Sequence, residues 1–183
     1  MSDTYLKGRK KPIATTMRLI HYGASCYDPD KFKPISDVPF RNKPKGGLWT
    51  SPVVTQYGWR EWCKEESYGR TEVSFEVIFS GRVLRINSVA DMDALHWIDI
   101  DGIYFISFQA MCAGGFYYDA IHLTVKGQEE TRFSHPKSLY GWDCETVFVM
   151  NPDSIQPLLR EDKSEANYSI ARPEEATHSQ RLG

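Results

Sequence analysis

Several things are scarce or missing in this 183-residue chain, and each absence closes a route. No apolar stretch approaches the roughly 18 residues that a membrane-spanning helix needs. The first residues, Met1 to Met17, carry basic side chains but no apolar run behind them, so they do not read as a secretory signal. Cysteine is sparse. Cys26, Cys63, Cys112 and Cys144 are far apart, and no Cys-X-X-Cys or His-X-X-X-His pair offers the ligand spacing of a structural zinc site, so no metal is expected. Without a secretion signal, the four thiols are expected to be reduced, in a cytoplasm. The Gly-X-Gly-X-X-Gly and Gly-X4-Gly-Lys-Ser/Thr loops that cradle phosphates are both absent, and no internal repeat is visible.

What remains is ordinary in bulk and uneven in detail. Hydrophobic residues at 41% and charged residues at 25% suit one globular domain that can bury a core without staples. The net charge of −2 hides an asymmetry, since residues 1–45 carry +6 and the remainder −8. The basic front could meet an anionic ligand, a dinucleotide or a nucleic-acid strand, or simply be a solvated arm. Five Trp, ten Tyr and nine Phe exceed what a core of this size demands, so aromatics serve either as core or as stacking surfaces for flat ligands.

Along the chain, alternation predicts a strand over Thr16–Tyr22. The segment Gly23 to Lys45 holds Pro29, Pro34, Pro39 and Pro44 and reads as a long, stiff binding or lid loop. Leu48–Ser51 reads as a short strand and Val53–Tyr68 as a helix. Glu72–Phe79 is the clearest strand, turned by Ser80-Gly81 into a partner over Arg82–Ile86. Ser88 to Asp91 forms a capping box that opens a helix to about Trp97. Ile103–Met111 fits either a strand or a buried helix, and strands are expected over Asp119–Thr124 and Thr146–Met150. The organisation is a basic arm over residues 1–15, one α+β domain over 16–159 and a polar tail over 160–183.

Three segments put glycine and polar groups at strand ends: Leu19 to Ser25, Gly46 to Pro52 and Asp143 to Ile155. In order and content these resemble the three motifs of the ADP-ribosyltransferase superfamily. That family splits a sheet around an NAD cleft. Its first strand ends in His-Gly or Arg-Gly, its second motif is Gly-aliphatic-Tyr or Ser-Thr-Ser, and its third is a Glu that opens an aliphatic strand. Glu145 before Thr146–Met150, with Asn151-Pro152 after it, matches the third. Gly47-Leu48-Trp49 and Thr50-Ser51 match the second. Aligned on Gly23, the first motif's polar position falls on Tyr22, with His21 one residue earlier.

The resemblance implies a split, mostly antiparallel sheet with few flanking helices, NAD as co-substrate, and transfer of ADP-ribose to a protein, RNA or DNA. It assigns catalysis to Glu145 and His21, and cofactor contacts to His21, Tyr22, Gly23, Trp49, Thr50, Ser51 and Tyr57. Acceptor recognition falls to Tyr140, Trp142 and Asp143 in the loop before Glu145. A bare single domain would suit a toxin or effector. The chemistry agrees: cleaving a nicotinamide–ribose bond builds positive charge that a fixed carboxylate can stabilise. Plainer roles stand beside each assignment. His21, Trp49, Tyr57, Tyr140 and Trp142 could be core, Thr50-Ser51 could shape a turn, and a module on this fold could bind without catalysis. His96, His122 and His135 are expected to be structural.

Overall fold

A computed structural model describes residues 11–113 and 115–158. Most of the basic arm expected over 1–15, and the polar tail expected over 160–183, lie outside the described residues. The fold is α+β, with many strands and few, short helices. No described helix is long and apolar enough to cross a membrane.

The sheet is built on two long strands. β1 (Ile13–Tyr22) starts three residues before the expected Thr16, because Ile13, Ala14 and Thr15 pair with Val83, Arg82 and Gly81. β3 spans Ser74–Ile86 without a break. The hairpin expected at Ser80-Gly81 does not form. A turn there would strip partners from the first half of β1, which instead pairs with β3 from Val83 through to Ser74. The glycine has another use, since a Cβ on Gly81 would sit 2.9 Å from the Asp119 Cβ. That closeness lets Asp119 accept hydrogen bonds from the Arg82 backbone N–H at 2.7 Å and from Arg82 Nε at 3.0 Å.

β2 (Leu48–Pro52), β6 (Ala120–Leu123) and β7 (Thr146–Val149) complete a ring in which β1 pairs with β2, β2 with β7, β7 with β6, β6 with β3, and β3 with β1. Only the β3–β6 pair is parallel, and β8 (Ile155–Pro157) adds to the N-terminal half of β3. The weakest seam lies between β1 and β2, which share only Leu19↔Pro52 and Ile20↔Ser51 before they part. Alternation puts Leu19, Val77, Phe79, Val83, Ala120, Val147 and Val149 into one buried cluster. Leu84, Ile86, Ile121, Leu123 and Phe148 face the other way, into a second cluster. There they meet Met92, Phe108, Met111 and Trp142.

The small elements cover that second cluster. The capping box at Ser88 forms, with Asp91 accepting from the Asn87 and Ser88 N–H groups, but it opens a 3-10 turn over Val89–Ala94. Leu95 is already extended, and Trp97 begins β4 (Trp97–Ile100). The ambiguous segment splits: Ile103–Ile106 is β5, paired with β4, and Phe108–Cys112 is α2. Ser107 makes the switch by accepting from the Ala110 N–H. α3 (Val125–Thr131) was not expected; Thr124 caps it through the Gly127 N–H.

The helix expected over Val53–Tyr68 shrinks to α1 (Trp59–Glu65). Val53 to Gly58 stays irregular because Thr55 Oγ1 accepts from the Tyr57 N–H, a local bond that competes with helix. The proline-rich loop, expected to be stiff, is tied down by hydrogen bonds. Asp37 accepts from Ser107 Oγ and from the Phe108 and Gln109 N–H groups. Asn42 bonds both the Ile106 N–H and the Ser138 carbonyl. So many anchors suit a fixed wall rather than a lid.

Candidate functional site

The parting of β1 from β2 leaves a cavity of about 230 Å³. Its lining includes Ile20, His21 and Tyr22 from β1, Trp49, Thr50 and Ser51 from β2, Lys43 from the proline-rich loop, and Trp59 at the start of α1. Trp142, Asp143, Cys144 and Thr146 close the far side. Tyr22, Trp49, Trp59 and Trp142 give the wall its aromatic surface. Between ring centroids, Trp49 lies 4.8 Å from Trp142, packed edge-on, and 4.5 Å from Phe148, tilted. Lys43 Nζ lies 5.1 Å from the Trp49 ring and 5.9 Å from the Trp59 ring while donating to the Gly141 carbonyl. A flat ring with an electron-poor face suits such walls.

Of the expected cofactor residues, the structure gathers His21, Tyr22, Trp49, Thr50 and Ser51 around this cavity. Several polar groups are already engaged. His21 Nδ1 is 2.8 Å from the Trp49 carbonyl and its ring packs on Phe75. Thr50 Oγ1 donates to the Val147 carbonyl at 2.6 Å. Ser51 Oγ donates to the Glu145 carbonyl and accepts from the Trp59 N–H, so these hydroxyls stitch β2 to β7 and α1. Gly23 stands beyond the cavity; it has φ +103°, a value that favours glycine, and its N–H donates to the Val73 carbonyl. Tyr57 also lies outside, where its hydroxyl donates to Glu65 at 2.7 Å. Burial and that carboxylate push Tyr57 up to about 12.

The acceptor loop divides. Tyr140 is 66% exposed. Trp142, expected to face an acceptor, is 1% exposed and packs in the core, where its Nε1–H donates to the Asn42 carbonyl. Asp143 is bound to Arg132 at 3.0 Å. Arg18 pairs with Glu76 on the exposed side of β1.

Glu145 sits immediately before β7. Its neighbours Cys144 and Thr146 line the cavity, but Glu145 does not. Its carboxylate turns to His122 on β6 and to Thr55: His122 Nε2 is 2.8 Å from Oε1, and Thr55 Oγ1 donates to Oε2 at 2.5 Å. Burial alone would raise its pKa, but the hydrogen bonds from His122 and Thr55 outweigh it and hold the carboxylate below its ordinary range. Sequence reasoning missed His122 and Thr55 beside Glu145, and Trp59 on the cavity wall. No spacing rule links position 145 to 122 or 55; only the β6–β7 register, with His122 opposite Val147, brings the first into reach. Cys144 offers no alternative nucleophile, because burial pushes its thiol up to about 11. Among the described residues, no group of three or more His, Cys, Asp and Glu is arranged to hold a metal ion.

A pH dependence follows from two carboxylates. Asp119, like Glu145, is raised by burial and lowered further by its partners, Arg82 and Asn151. A folded-state pKa below the unfolded one adds stability that is whole above the unfolded value and is lost as pH falls through the folded one. The urea midpoint is therefore expected to hold down to about pH 5 and to fall steadily below about pH 4. Asp119→Asn and Glu145→Gln should each flatten that decline; a wild-type midpoint unchanged down to about pH 3 would contradict both assignments.

No family model, curated protein or solved structure matches the chain.

Proposed function

We propose that this protein is an NAD-dependent mono-ADP-ribosyltransferase, acting inside the cell, that moves ADP-ribose to a macromolecular acceptor, protein before nucleic acid. The observation that carries the reading is Glu145: a half-buried carboxylate kept ionised by two hydrogen bonds, at the head of a strand and between two residues that line an aromatic-rich cavity. The sheet that parts between β1 and β2 agrees with the split sheet of the family that the motifs resemble.

On this reading the nicotinamide ring enters the cavity against Trp49 and Trp59, and the ribose lies over the head of β7. The bond between ribose C1′ and the ring nitrogen breaks, and nicotinamide leaves with the bonding pair. The positive charge left on the ribose is stabilised by the Glu145 carboxylate. A nucleophile on the acceptor then bonds to C1′ and gives up its proton to solvent water. Exposed Tyr140 is the aromatic best disposed to meet the acceptor.

A second reading draws on the same carboxylate. Both its oxygens already hold a hydrogen bond, as expected of a structural Glu in a binding module that no longer turns over. Labelled NAD, incubated with the protein and a cell lysate, separates these possibilities. Transfer predicts free nicotinamide and a macromolecular label that protease removes. A label lost to nuclease instead would move the acceptor to RNA or DNA. Nicotinamide without label would mean hydrolysis, and neither product would leave the binding module.

A further inference from the structure

We propose that His122 is a positioning residue for Glu145: its ring fixes the orientation in which the carboxylate meets the ribose. The inference rests on the transferase reading above, but its physical content can be tested apart from it.

The geometry is specific. His122 is buried at the centre of β6, between β3 and β7, in register with Val147 on one side and Arg85 on the other. A side chain on a strand paired along both edges has little freedom, so its Nε2 is a fixed point. To bond an ionised carboxylate, Nε2 must carry a proton. The second contact comes from Thr55, in the irregular segment between β2 and α1. Thr55 is neutral, and Tyr57 nearby offers its backbone carbonyl to the Glu145 N–H while its hydroxyl is turned to Glu65. Arg85 on β3 adds a favourable charge. His122 is thus an ionisable side chain in direct contact with the carboxylate, at 2.8 Å, and it sits on the more rigid of the two hydrogen-bonding supports.

The test compares His122→Gln, whose amide N–H can occupy roughly the place of Nε2, with His122→Leu, which fills similar space without a donor. Two readouts are taken: the Glu145 carboxyl titration by carbon-13 NMR, and kcat, KM and the pH profile of nicotinamide release. With Leu, Glu145 is expected to titrate at higher pH, and the acidic limb of the profile should move up with it. kcat should fall about 10–100-fold with little change in KM, as for lost partners that orient a functional group. Gln should restore most of both. A folded Leu variant with wild-type titration and pH profile would overturn the proposal. If Leu does not fold, His122→Asn, too short to reach the carboxylate, takes its place beside Gln. Should the wild type release no nicotinamide, the transferase reading fails, and the titration alone then decides whether His122 holds Glu145.

Discussion

Glu145→Gln should lower nicotinamide release from NAD by on the order of 10²–10³-fold while leaving the fold intact, the scale seen when one preorganised electrostatic contact to a transition state is removed. The amide has nearly the shape of the carboxylate and can still accept from Thr55. What it loses is the negative charge, and only the charge opposes the cation that develops on the ribose. Substrate affinity should change little, because the stabilisation arises as the bond breaks. The measurement is kcat and KM for nicotinamide release, with circular dichroism and thermal melting to verify the fold. A folded Gln variant within a few-fold of wild type would remove Glu145 from catalysis, and the binding-module reading would replace the transferase one.

Trp142→Ala is expected to act on stability rather than on acceptor choice. The indole is almost wholly buried, lies 4.8 Å from the Trp49 centroid, and packs near Phe108 and Phe148. It also pins the proline-rich loop through its bond to the Asn42 carbonyl. Truncating such a side chain costs about 3–5 kcal/mol, or roughly 6–20 °C in Tm for a chain of this size. That is a large part of the whole stability of an ordinary domain. Tyr140→Ala, on the exposed side of the same loop, should leave Tm nearly unchanged. Thermal melts of the pair decide the matter. Equal, small shifts would mean that Trp142 is a surface residue after all.

The contrast between those two aromatics shows how far sequence reasoning reached. Alternation, absent from the wholly buried β6 and β7, located β1 and the first half of β3, because a half-buried strand writes its period directly into its residues. It failed at Ser80-Gly81, where the local turn signal was overruled by a partner more than 60 residues away. It failed again over Val53–Tyr68, where side-chain hydroxyls claimed the backbone groups that a helix would use. At the site, the residues His21 to Tyr22 and Trp49 to Ser51 were legible as a cluster because the paired strands β1 and β2 carry them. The partners of Glu145 were not, since His122 reads as one more strand residue until the β6–β7 register is known.

The ring of strands also dictates the order in which the molecule can become safe from its neighbours. β2 and β6 are not paired with each other; each finds its second partner in β7, near the end of the described chain. Until Thr146–Val149 is available, β2 and β6 both expose open ladders that another chain can join. A fragment ending before Thr146, or a chain stalled there during synthesis, would therefore carry two adhesive edges at once. Its tendency to aggregate should drop sharply once those four residues are added. Pairing across such long sequence separations also makes for slow folding, so that exposed interval is prolonged.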